Sequence, residues 1–169
     1  MTTKRLAVTV PLTCALALAP ALALAPAANA KTVTISRGTQ NGDDVKDPNG
    51  KLVLKVKVNG KGVPQKIASA TAVNMDVTCI DPVALVYVPA GELTVTKKGL
   101  KLNLTHMGSK TYFSIPDSVE FTTSDGWKFE IDAAVDSKAK KVLGGSIQGN
   151  GTDAQGRSCS AEAYIKNGY

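Results

Sequence analysis

The sequence predicts an all-β protein, most simply an antiparallel β-sandwich, on three observations. From residue 51 onward apolar and polar residues alternate, the two-residue period of a half-buried strand. Turn-forming clusters interrupt that alternation every 8–12 residues or so, the spacing of sandwiches and barrels. No stretch holds the i, i+3, i+4, i+7 spacing of an amphipathic helix better than it holds alternation.

The elements follow in chain order. Thr32–Ser36 reads as a first strand, and the polar run 38–50 as a loop. In 51–58, Leu52, Leu54, Val56 and Val58 share one face while Lys51, Lys55 and Lys57 take the other. Asn59-Gly60 then signals a two-residue hairpin turn, because both positions tolerate positive φ. In 72–80, Val73, Met75, Val77 and Cys79 oppose Asn74, Asp76 and Thr78, and Asp81-Pro82 stops the strand. Ala84–Val88 reads as a short apolar strand closed by Pro89-Ala90-Gly91. Leu93 and Val95, a turn at Lys97-Lys98-Gly99, and Leu100, Leu102 and Leu104 read as a hairpin. Short strands are expected at Tyr112–Ile115 and Val119–Thr122, with a turn at Ser124-Asp125-Gly126. The clearest strand puts Trp127, Phe129, Ile131, Ala133 and Val135 on one face and Lys128, Glu130, Asp132 and Asp136 on the other. A glycine-thinned strand at 142–149, a loop at 150–157 and a last strand carrying Cys159, Ala161, Ala163 and Ile165 complete the chain.

Residues 1–30 have the parts of a secretory signal peptide. Lys4 and Arg5 are followed by an uncharged Ala/Leu-rich stretch ending in Ala28-Asn29-Ala30, a charged start, an apolar middle and a small-residue cleavage site. Pro11, Pro20 and Pro26 interrupt this stretch and argue against a transmembrane anchor. Pro11-Leu12-Thr13 before Cys14 is not the triplet that lipid attachment there calls for. The expectation is therefore a signal peptide at 1–30 and a single domain at 31–169, with no transmembrane segment in the mature chain. The composition of the leader suggests a bacterial source and a secreted or cell-envelope location. The mature chain loses Lys4 and Arg5 and no acid, so it stays mildly basic. That suits acidic envelope polymers. Nucleic acid is not expected as a partner, because no aromatic residues are interleaved with the lysines to stack bases.

Cleavage removes Cys14 and leaves Cys79 and Cys159, an even pair that reads as one disulfide in an exported chain. Lying on the apolar faces of their strands, they tie either facing sheets or a terminal strand into the main sheet. One histidine, His106, and two distant cysteines are too few for a metal centre. His106 sits in a loop-like stretch, and no G-x-S-x-G motif accompanies it. No catalytic residue, cofactor or metal is assigned.

Three other groupings invite a functional reading. Glu130, Asp132 and Asp136 form a row of carboxylates, which read as a solvated outer face. Asn41, Asp43, Asp44, Asp47 and Asn49 are oxygen donors of the kind Ca²⁺ takes, but their spacing does not match a helix-loop-helix calcium site, and Asp and Asn favour turns in any case. Lysines gather in three groups: Lys51, Lys55, Lys57, Lys61 and Lys66; Lys97, Lys98 and Lys101; Lys138, Lys140 and Lys141. They read either as protection of exposed strands or as a surface for acidic polymers. An immunoglobulin-like architecture is compatible with the strand count. Its signature is absent, since Arg157 stands where the corner tyrosine belongs.

The function expected from these readings is a secreted or envelope-associated, non-enzymatic binding or structural module, acting on acidic envelope polymers or another protein. Two alternatives are a carrier of a small apolar ligand or lipid in a β-barrel-like cavity, and a secreted protein inhibitor.

Overall fold

The computed structural model describes residues 30–41 and 45–165. The leader expected at 1–30, including Cys14, lies outside them apart from residue 30, as do Asp43 and Asp44 of the candidate calcium group. Ten strands make up the described chain: β1 (Lys31–Asn41), β2 (Val45–Val58), β3 (Pro64–Ile80), β4 (Tyr87–Lys101), β5 (Asn103–Met107), β6 (Lys110–Ser114), β7 (Val119–Thr122), β8 (Lys128–Asp136), β9 (Val142–Thr152) and β10 (Ser158–Ile165). No helix occurs among the described residues, so none there is long and apolar enough to cross a membrane.

All pairings are antiparallel, and they join the strands into one sheet of order β4-β3-β2-β1-β10-β9-β8-β6-β5, with β7 also on β8. The long strand β3 is the pivot. Its residues 64–73 pair with β2, and its residues 76–79 pair with β10. One edge of β3 thus serves two neighbours in succession, while β4 takes the other edge throughout. At that junction the sheet divides into two limbs, β1–β4 and β5–β10. Arg37 ties them again by donating from Nη1 to the carbonyls of Val142 and Leu143 at 3.1 and 3.0 Å.

The limbs share one core. Leu52, Leu54, Val56 and Ile67 from the first limb and Phe129, Ile131, Val135 and Ile147 from the second belong to a single buried cluster. Burial of each such side chain is worth roughly 1.5–3 kcal/mol. Alternation holds from Trp127 to Ala133, with Trp127, Phe129, Ile131 and Ala133 buried and Lys128, Glu130 and Asp132 exposed; it breaks at a register shift between Ala134 and Val135, both of which are buried. Two glycines of β9 explain how its aromatic rings fit. A Cβ on Gly149 would run into Phe129, and one on Gly151 into Trp127. Bare backbone is therefore the seat on which both rings lie.

Several local expectations need correction. The polar run 38–50 is mostly strand, with a register shift between Gly38 and Gln40. The β2–β3 turn is wider than two residues. Asn59 accepts from the backbone N–H groups of Lys61 and Val63, and Gly62 takes the positive φ of 77°. In β3 a register shift between Ala72 and Met75, with Asn74 at φ 54°, moves the inward phase from Val73 to Ala72. Lys97-Lys98-Gly99 is no turn. β4 runs straight through it, because Ser69 and Ile67 of β3 go on pairing with Lys98 and Leu100. Pro89-Ala90-Gly91 likewise lies inside β4. His106 is exposed as expected, but it stands in β5 opposite Thr111, not in a loop.

The expected strand at Ala84–Val88 is the largest miss. Residues 81–86 form a turn, and β4 begins at Tyr87. The Asp81 carboxylate accepts from the N–H groups of Val83 and Ala84, both at 2.8 Å, while Leu85 N–H donates to the Asp81 carbonyl. Those bonds satisfy the backbone locally and leave the apolar side chains outside.

Candidate functional site

Alternation decides which face a side chain takes; cross-strand register decides which other side chains stand beside it. On the outer face of the β1–β4 limb, register brings together two of the three lysine groups. Thr32, Lys57, Lys66 and Lys101 form one rung across β1, β2, β3 and β4. Thr34, Lys55, Ser69 and Lys98 form the next one used by the lysines. Five ammonium groups thus project from one patch of sheet, and all five residues are exposed. None has a carboxylate within 4.0 Å among the described residues. Lys138, Lys140 and Lys141 do not join them. They lie at the β8–β9 turn, where the Asp136 carboxylate accepts from the backbone of Lys140 and Lys141 at 2.6 and 2.7 Å.

A row of the opposite charge runs from the outer face of the second limb onto β3 and β4 of the first. Glu120, Glu130, Gln148, Glu162, Asp76 and Glu92 stand side by side across β7, β8, β9, β10, β3 and β4. The row expected along one strand, Glu130, Asp132 and Asp136, is therefore crossed by a longer row running between strands. Asp132 lies beside it. Partial loss of hydration holds its carboxyl above the ordinary value and outweighs the N–H of Ala133, with the Glu130 charge adding to the rise. Asp136 instead caps its turn.

One end of the molecule carries the disulfide. Cys79 and Cys159 face each other directly across β3 and β10, with Cα atoms 4.0 Å apart. The bridge ties the last strand into the main sheet, one of the two roles expected for it. Asp153 lies close by, and the three residues have donor atoms within reach of a single ion. Sulfurs bonded to each other are not thiolate ligands, and the Asp153 carboxylate already accepts from Arg157 Nε at 2.7 Å. Desolvation acts upward on Asp153, but the backbone and guanidinium bonds from Arg157, with its charge, hold the carboxyl below the ordinary range. The Asp81 carboxyl is lowered too, by the N–H groups of Ala84 and Val83.

From this end projects the turn after β3. Val83 is 91% exposed, Leu85 78% and Tyr87 70%, and no charged residue occurs between Pro82 and Gly91. The cavities described are open to solvent. One of about 520 Å³ is bordered by Glu120, Lys128, Glu130, Gln148 and Asn150 beside Phe121 and Phe129. Another, of about 310 Å³, separates residues 93–96 of β4 from the β7–β8 turn at Thr123–Asp125. Lys97 of β4 reaches over to β7, its Nζ 5.2 Å from the Phe121 ring centroid.

Sequence reasoning named every lysine of the patch but not their meeting, and it missed the acidic row because its members come from six strands. The exposed turn carried a readable signal, an Asp-Pro step followed by an uncharged run. No family model, curated protein or solved structure matches the chain.

Proposed function

We propose that this protein is a non-enzymatic binding module, secreted or associated with the cell envelope, that holds an acidic polymer on the outer face of the β1–β4 limb. One observation carries the reading: Lys57, Lys66 and Lys101 are successive neighbours on a single rung, with Lys55 and Lys98 close by. Like charges placed directly opposite destabilise a sheet. A polyanion laid across the rungs would relieve that repulsion and release its own counterions, so binding would weaken steeply with salt. The carrier alternative has less support, since the 520 Å³ groove is bordered mainly by charged and amide side chains. The inhibitor alternative rests on the protruding turn at 82–87, which has the shape but no feature that selects a target.

Inorganic polyphosphate is a suitable probe, titrated calorimetrically at low and moderate salt. The triple substitution Lys57→Gln, Lys66→Gln, Lys101→Gln should weaken binding by about tenfold or more. Lys138→Gln, Lys140→Gln, Lys141→Gln removes the same charge elsewhere and should change it by less than about twofold. Equal losses in the two triples would reduce the effect to net charge and overturn the assignment of the face.

A further inference from the structure

We propose that the groove on the outer face of β7, β8 and β9, separate from the lysine patch, is a binding site for a short saccharide that carries a free amine. The first observation is the register. Glu120, Glu130 and Gln148 form one rung across the three strands, and Thr122, Lys128 and Asn150 form the next. All six residues are exposed, and all six border a single groove of about 520 Å³. Small-molecule sites have volumes of about 300–1,000 Å³, and the groove falls within that range.

The second observation is that these side chains are free to bond. None of the six makes a side-chain hydrogen bond or an ion pair among the described residues. Glu120 and Glu130 stand directly opposite each other across β7 and β8. Like charges so placed repel, and one cation between them turns the repulsion into two attractions. Lys128 supplies a single positive charge on the next rung, so the set is one positive charge short of neutral. Gln148, Asn150 and Thr122 carry no charge and can both donate and accept.

The third observation concerns shape and stiffness. Three strands about 4.8 Å apart span about 10 Å, and successive outward residues lie about 7 Å apart along each strand. Two linked pyranose rings cover a patch of that size. The platform is held from its inner side. The Phe129 ring lies against Gly149, the residue between Gln148 and Asn150, and is stacked on both Trp127 and Phe121. Polar groups fixed in place bind with less ordering cost. An ammonium and several hydroxyl groups on a rigid ring frame meet the carboxylates, the amides and the threonine together. A basic peptide side chain meets the carboxylates alone and leaves the amides without partners. An apolar ligand takes water from six polar groups and returns no hydrogen bond to any of them.

Titration calorimetry with the disaccharide of glucosamine, at a mildly acidic pH where the sugar amines are protonated, tests the proposal. The wild-type chain should bind it about tenfold or more tighter than the N-acetylated disaccharide, which keeps the rings and loses the charge. Glu120→Gln and Glu130→Gln should each weaken binding of the free amine by about tenfold. Gln148→Ala should weaken binding of both sugars by about threefold or more. Glu92→Gln removes the same charge from β4, outside the groove, and should change the affinity by less than about twofold. These residues are exposed, and unchanged thermal midpoints will confirm that the variants fold. A wild-type chain that does not bind the glucosamine disaccharide overturns the proposal. So do equal losses in Glu92→Gln and Glu130→Gln, which would reduce the effect to net charge. So does putrescine bound as tightly as the sugar, which would leave a site for any small cation and no role for the hydroxyl groups.

Discussion

Gly149→Ala is the smallest change that tests how the core of the second limb is built. The residue lies in β9 opposite Phe129 of β8, and its φ is not in the positive region, so a methyl group strains no backbone. It strains the ring. The added Cβ falls inside the contact distance of Phe129 Cδ1 and Cε1 and 2.9 Å from Cζ. The ring cannot swing aside easily. It is 2% exposed and is stacked on Trp127 and Phe121, at centroid distances of 5.8 and 5.5 Å. Overpacking a filled core costs about 1–3 kcal/mol, and a ring held on both sides belongs at the upper end, about 3 kcal/mol.

The same geometry predicts a strong coupling. Phe129→Ala alone should cost about 3–5 kcal/mol, as large-to-small core changes do. In the double variant the new methyl enters space the ring has left, so the total should stay near that of Phe129→Ala alone. The shortfall from additivity should be about 2–3 kcal/mol. Urea denaturation followed by the fluorescence of Trp127, the only tryptophan, measures all three variants. Lys128→Ala, adjacent but exposed, serves as the control and should stay within about 0.5 kcal/mol. A Gly149→Ala variant as stable as the control, or a strictly additive double, would refute the seating of the ring on β9.

Two further predictions concern the disulfide and the outer carboxylates. Cys79→Ala, Cys159→Ala opens a loop closed across a sequence separation of 80, so denaturation should show a loss of about 4–5 kcal/mol on the chain-entropy model; peptide mapping of the wild type without reductant should find the two cysteines linked. The raised pKa of Asp132 means that this carboxyl favours the fold when protonated. Its contribution is complete below the unfolded value and disappears as pH rises through the folded one, so Asp132→Asn should be at least as stable as wild type at neutral pH and should flatten that part of the pH–stability curve; a variant less stable at neutral pH would contradict the shift.

Faces were legible in the sequence where alternation ran unbroken. Leu52 to Val58 and Trp127 to Ala133 needed nothing but their period to be assigned. The cysteine pair was legible by arithmetic, although the choice between facing sheets and a terminal strand was not. Where a bulge or a left-handed residue intervened, period alone failed. Nothing in Val73-Asn74-Met75 announces that the inward phase moves there, since the cause is the simultaneous demand of β2, β10 and β4 on one strand. Lys97-Lys98-Gly99 has the composition of a turn and lies in a strand, because continuation or reversal depends on whether β3 still offers partners. The run after Asp81 is apolar enough for a strand, yet one carboxylate accepting two N–H groups is sufficient to fold it into a turn.

The charged rows mark the limit more sharply. Lys55, Lys57, Asp76 and Glu130 take an outer face from the alternation of their own strands, whereas Glu92 and Glu120 carried no assignment and Lys98 was expected in a turn. What no single strand contains is the rung. Lys57 and Lys66 are nine positions apart and adjacent in space because the wide turn at Asn59–Val63 sets the register of β2 on β3. Lys101 joins them only because Gly99 does not reverse the chain. Had Lys97-Lys98-Gly99 been a hairpin turn, Lys98 and Lys101 would stand at a loop tip and the five-lysine patch would not exist. The same is true of the acidic row, whose junction between Glu162 and Asp76 depends on β10 replacing β2 at the edge of β3. Composition gives a mildly basic chain. Register turns that modest excess into a lysine patch on the β1–β4 limb and a carboxylate row that crosses from the second limb onto β3 and β4, and the candidate function follows from the second fact.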